Sequence, residues 1–219
     1  VLPLDKNELN SLALIGKYVD YDFYTVGTGG SGWTNPPYQV TFLEGMQNKL
    51  GKDVELVTPK YDENNLDQTV ADAVEAAKNA DYAIIYAGLN STSTSDPNVA
   101  DTEDGDRGNL DFPPAQLALI KAVAAAKPGK TIVVLSGSIY EVRDWVDDVP
   151  AVLQTFYSGM EGGNATADIL LGNLNPSGKL TNTWPKRYED TAGYVPGNDA
   201  VDQRELKKDD VTYSEGLYV

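Results

Sequence analysis

The 219 residues, 41% of them hydrophobic, carry a formal net charge of −16, which suits a globular protein and argues against nucleic acid or an anionic membrane surface as partner. Cysteine and histidine are absent, so Cys–His and Ser–His–Asp catalysis, and a zinc site built on His or Cys, cannot be assembled within the chain. No apolar run reaches the length of a bilayer span.

Ser11–Ile15 reads as a short buried strand, followed by a glycine-rich loop from Lys17 to Pro37. From Tyr38 to Leu50, Val40, Phe42, Leu43, Met46 and Leu50 recur at helical spacing, and Gly51 closes that helix. Asp53–Val57 is expected as a second strand. Leu66–Ala80 is expected as a helix with Leu66, Val70, Ala73, Val74 and Ala77 on its apolar face. Asp81–Leu89 holds the near-continuous apolar run of a parallel strand covered on both faces. After a polar loop, Pro113-Pro114 opens a helix over Ala115–Lys127, proline being tolerated in a first turn. Thr131–Leu135 and Ala151–Phe156 are the next strands. Glu161–Leu171 is a further helix stopped by Gly172, and Leu180–Trp184 is a candidate sixth strand. Strands alternating with helices at this spacing predict a three-layer α/β/α sandwich around a mostly parallel sheet of about six strands, one of them antiparallel. No repeat or second core is evident, so residues 1–219 are expected to form one domain, with 185–219 a polar tail wrapping the surface. Starting at Val1, the chain is expected to be a processed product or a piece of a longer protein.

Doubly wound sheets place ligands at the C-terminal ends of their strands, and two long loops leave such ends here. The first includes Gly27-Thr28-Gly29-Gly30-Ser31-Gly32-Trp33. Its glycines fit G-x-G-x-x-G formally, but that fingerprint needs a helix to open at the last glycine, and Trp33-Thr34-Asn35-Pro36-Pro37 follows instead. Trp33 is either a plug over the loop's own small core or a face on which the C–H side of a sugar ring can pack. The second loop, Asn90 to Phe112, holds Asp96, Asp101, Glu103, Asp104, Asp106 and Arg107. Such a run serves as a solvated surface, as a calcium loop, or as the source of an acid. The alternation of an EF-hand is missing. Without histidine, proton transfer near neutral pH falls to a carboxyl group, a lysine or a tyrosine.

Several segments along the chain form a set. The glycine loop holds Gly29-Gly30-Ser31-Gly32, and Leu43-Glu44-Gly45 lies on the first helix. Glu103-Asp104-Gly105-Asp106-Arg107-Gly108-Asn109-Leu110-Asp111-Phe112-Pro113-Pro114-Ala115-Gln116 is similar to E-G-x-D-R-x-x-L-x-L-P-x-x-Q. Ile132-Val133-Val134-Leu135-Ser136-Gly137 forms a strand ending in Ser-Gly. Ser158-Gly159-Met160-Glu161-Gly162-Gly163-Asn164-Ala165-Thr166-Ala167-Asp168-Ile169-Leu170-Leu171-Gly172 is followed by Asn175-Pro176-Ser177-Gly178-Lys179-Leu180, and the chain ends in Tyr213-Ser214-Glu215-Gly216-Leu217-Tyr218-Val219. In this order and over nearly the whole length, the set resembles the C-terminal domain of glycoside hydrolase family 3.

The resemblance implies a retaining β-glycosidase, a β-glucosidase in particular, that needs no cofactor and works in a secreted or periplasmic setting. A (β/α)₈ barrel of the same enzyme, absent from this chain, would supply the aspartate nucleophile, and this domain the acid/base carboxylate over the barrel mouth. By position in the signature, Glu103 matches that acid/base, although Asp104 stands where the family usually has glycine. Some branches carry the acid further upstream, where Asp96 is the one carboxylate between Asn90 and Ala100. Trp33, Ser31 and Gly32 would bind the β-glucoside or oligosaccharide substrate. The alternative is a carbohydrate-binding or interaction domain in which Glu103 has no chemical role.

Overall fold

A computed structural model describes residues 1–20, 35–89 and 110–191. In chain order the elements are β1 (Ser11–Ile15), α1 (Phe42–Leu50), β2 (Glu55–Val57), α2 (Leu66–Asn79), β3 (Tyr82–Gly88), α3 (Pro114–Ala126), β4 (Thr131–Ser136), β5 (Ala151–Gln154) and α4 (Gly162–Leu170). The five strands lie in the order β2-β1-β3-β4-β5, and every pairing is parallel.

Alternation along each strand sorts the side chains into two cores, because successive residues point to opposite faces. On one face Ala13, Ile15, Ala83, Ile85, Ala87, Val133 and Leu135 pack with Ala73 and Ala77 of α2 and with Leu119, Ile120 and Val123 of α3. On the other, Leu12, Leu14, Ile84, Tyr86, Ile132 and Val134 pack with Phe42 and Met46 of α1 and with Ala167 and Leu170 of α4. The arrangement is the expected α/β/α sandwich. Both faces are covered, which is why β3 and β4 read as almost unbroken apolar runs. No helix among the described residues is long and apolar enough to cross a membrane.

The sheet differs from expectation at one edge. Leu180–Trp184 forms no strand, and the described residues contain no antiparallel pairing. Leu180 is 59% exposed, whereas Trp184 packs on Tyr140 with ring centroids 6.0 Å apart. Trp184 anchors the segment to the core, and no ladder along β5 does so among the described residues. The first helix also opens later than its apolar spacing suggests. Thr41 adopts an extended conformation, its hydroxyl accepts the Glu44 N–H, and the Glu44 carboxylate accepts the Thr41 N–H. This reciprocal capping box stops the helix from running back to Tyr38.

Candidate active site at the C-terminal strand edge

The strand order reverses between β1 and β3, which pair directly through Leu12↔Tyr82 to Ile15↔Ile85. Loops on either side of such a reversal diverge and leave a crevice, where doubly wound folds bind ligands. Both candidate loops start here, the first after β1 and the second after β3. Each of these strands runs out into a glycine at positive φ, Gly16 (+119°) and Gly88 (+132°), where an added Cβ would collide with the carbonyl oxygen of the neighbouring strand, at Tyr86 and Ser136 respectively. Only glycine lets the chain turn out of the sheet this close to its neighbour.

Ser31, Gly32, Trp33 and Glu103 lie outside the described residues, as do Asp96, Asp101, Asp104, Asp106 and Arg107. The structure places the roots of their loops. Past β1, Tyr18 and Val19 are buried. The Leu43 N–H donates to the Val19 carbonyl at 2.9 Å, and the Thr41 hydroxyl lies 3.2 Å from the Asp20 carboxylate. The chain therefore leaves and re-enters beside the N-terminus of α1. That helix opens at Phe42, well past Gly32 in sequence, whereas the dinucleotide fingerprint needs a helix to open at its last glycine.

Past β3, Gln116 of α3 accepts the Gly88 N–H at 2.8 Å and donates to the Gly88 carbonyl at 2.9 Å. Gln116 is 2% exposed, so both bonds are made away from water, where leaving either group unpaired would be costly. The final glutamine of the Glu103–Gln116 signature is thereby explained. It pins the strand end from which the carboxylate-rich loop departs. Sequence reasoning gave this residue no role, although a glutamine on the same helix face as Leu119, Ile120 and Val123 signals a buried partner.

The edge continues at the ends of β4 and β5. At β5, the Thr155 N–H and hydroxyl both donate to the Leu135 carbonyl, at 2.8 and 2.9 Å. Phe156 follows at φ +53°, the one positive-φ residue other than glycine among those described. The loop then reaches Glu161, which accepts the Tyr38 hydroxyl at 2.6 Å and the Asn164 amide at 2.7 Å. Asn164 in turn accepts from Asn48 of α1 at 3.0 Å. The hydrogen bond from Tyr38, then that from Asn164, holds the Glu161 carboxyl below its ordinary range, and the same contact raises the Tyr38 hydroxyl. Glu161 is thus kept ionised and structurally engaged, tying the end of the first loop to α4. A cavity of about 450 Å³ lies between β2 and α2, lined by Ser11, Glu55, Asp72 and Glu75 among others. Its lining runs along the whole of β2, from Glu55 to Val57 and on to Pro59.

Comparison with known proteins agrees with this architecture. The chain matches the family described as the glycosyl hydrolase family 3 C-terminal domain over residues 1–219. It is similar to thermostable beta-glucosidase B of Acetivibrio thermocellus, at 34% identity over 100% of this chain and 27% of the relative. It is also similar to a beta-xylosidase of Formosa agariphila, at 31% identity over 90% of this chain and 26% of the relative. Beta-glucosidase D2-BGL from Chaetomella raphigera matches it in structure with a TM-score of 0.75 at 29% identity, over 100% of this chain and 30% of that one. The chain spans less than a third of the length of each.

Proposed function

The chain belongs to glycosyl hydrolase family 3, as its C-terminal domain, and on that premise we propose that it supplies the acid/base carboxylate and part of the sugar cleft of a retaining β-glucosidase. The observation that carries this reading is the departure of both candidate loops from the adjacent strands β1 and β3, at the reversal point of the sheet. The name of the Acetivibrio thermocellus relative supports the choice of glucosides.

In the full-length enzyme a barrel domain holds the nucleophilic aspartate. That carboxylate attacks the anomeric carbon while Glu103 gives its proton to the departing glycosidic oxygen. A water molecule then enters, loses a proton to Glu103 and cleaves the glycosyl-enzyme, so the stereochemistry is retained. Trp33, Ser31 and Gly32 bind the substrate, the indole supplying an apolar surface for the C–H side of a sugar ring. No cofactor takes part.

Glu103→Ala in the full-length enzyme tests this. Cleavage of alkyl glucosides and oligosaccharides should fall by about 10²–10⁴-fold, the usual share of acid/base help. Formation of the glycosyl-enzyme from a dinitrophenyl glucoside should be spared, and azide should restore turnover by attacking without base assistance. Rescue of Asp96→Ala instead would move the acid upstream. Rescue of neither would mean that Glu103 and Asp96 both lack the acid role, which favours the alternative of a carbohydrate-binding or interaction domain.

A further inference from the structure

Both ends of the segment between β3 and α3 are held by one stretch of chain, Ser136 to Trp145. At the outgoing end the Leu89 N–H donates to the Tyr140 hydroxyl oxygen at 2.7 Å, and the Ser136 hydroxyl donates to the Leu89 carbonyl at 2.9 Å. The Tyr140 hydroxyl donates onward to the Ser136 carbonyl. At the returning end the Glu141 N–H donates to the Leu110 carbonyl at 2.7 Å. Phe112 lies against the rings of Tyr140 and Trp145, with centroids 4.8 and 5.8 Å apart. Tyr140 therefore touches both ends, its hydroxyl at Leu89 and its ring at Phe112.

Tyr140 is 0% exposed. Its ring alone would fill this place in the core, and a buried hydroxyl is unfavourable unless it is bonded. What the hydroxyl adds is a fixed direction for the chain leaving β3. The geometry points to Tyr140 as a positioning residue for the acid: its hydroxyl, with Ser136, sets the exit of the segment that carries Glu103. This rests on the proposed function above. A catalytic group displaced by about 1 Å can lose on the order of 100-fold in rate, so the placement of a loop root has kinetic consequences.

Tyr140→Phe in the full-length enzyme removes the hydroxyl and keeps the ring. With the fold confirmed by an unchanged far-ultraviolet spectrum, kcat/KM for an alkyl β-glucoside should fall about 10- to 100-fold. For a dinitrophenyl glucoside it should stay within about threefold, because that leaving group departs without a proton. A merely structural role would lower both substrates together, in proportion to the folded fraction. Should Tyr140→Phe fail to fold, Ser136→Ala removes the neighbouring tie to Leu89 and is read the same way. Parallel losses, or none, overturn the positioning role whatever Glu103→Ala shows. Selective loss without azide rescue of Glu103→Ala keeps the positioning role and removes Glu103 as the acid.

Discussion

Two glycines far apart in sequence set the distance between α1 and α4. Gly45 faces the backbone of Gly163, and Gly163 faces the Thr41 carbonyl, so a Cβ on either would lie inside van der Waals contact with main chain. Main chain yields less readily than a flexible side chain, and overpacking of this kind costs about 1–3 kcal/mol. Beside this contact Lys49 reaches Asp168 at 2.8 Å, with the two side chains 29% and 19% exposed. The hydrogen bond from Lys49 is the main reason the Asp168 carboxyl is held below its ordinary range. A pair this open to water contributes about 0–1 kcal/mol, so the glycine contact outweighs it. Gly45→Ala should therefore destabilise by about 2 kcal/mol or more, and Lys49→Met by less than about 1 kcal/mol. Gly178→Ala, where a Cβ meets nothing within 4 Å, should change stability by less than about 0.5 kcal/mol. Urea unfolding ranks the three. A larger loss in Lys49→Met than in Gly45→Ala would mean that charge, not backbone contact, holds these helices.

Between elements, Asp81 joins the starts of β1 and β3. Its carboxylate accepts the N–H groups of Asn10 at 2.7 Å and Ser11 at 3.0 Å, and these two bonds hold its pKa below the ordinary aspartate value. With the folded pKa below an unfolded value of about 3.9, the associated stability is fully present above that pH and vanishes as pH falls through the folded value. Asp81→Asn mimics the protonated form. It should be less stable than the parent near neutral pH, and the gap in urea midpoint should close in acid. A gap that persists unchanged into strong acid would show that the charge on Asp81 contributes nothing. The element pattern itself was legible in the residues. Ile84-Ile85 and Ile132-Val133-Val134 are apolar on both faces because both faces are covered, and among the described residues each strand and α-helix lies where the sequence pattern marks one. The ends were harder to see. Tyr38 and Val40 extend the helical spacing upstream, yet the Val40 N–H bonds to Met160 at 2.8 Å and Thr41 caps. Leu180–Trp184 has strand-like composition, but a strand needs a partner, which local sequence cannot supply. At the site, the two loops were found from their composition and their place after β1 and β3. Gln116 and Tyr140 were not, because each acts on a strand end, Gly88 or Leu89, distant in the chain. Glu103 and Trp33 were named from sequence and lie outside the described residues.

At the scale of the whole molecule, the chain has a sheet buried on both faces and, by the proposed function, half of a catalytic pair. The strand residues Leu12, Ala13, Ile84, Ile85 and Ile132 to Leu135 are 0% exposed, so the sheet's core is closed by helices of this chain. The isolated chain should therefore fold alone and unfold cooperatively in urea. Retaining hydrolysis needs two carboxyl groups about 5–5.5 Å apart, one attacking carbon and one protonating oxygen. The proposed chemistry finds the first on the barrel. The isolated chain should consequently show no detectable turnover of an aryl β-glucoside. Azide should not change that, because it replaces base-assisted water in the second step and cannot form the glycosyl-enzyme in the first. The full-length enzyme should turn over the same substrate. Turnover by a contamination-free isolated chain, lost on Glu103→Ala, would put the nucleophile as well as the acid within these 219 residues. Failure of the isolated chain to unfold cooperatively would instead mean that the barrel completes the fold as well as the active site.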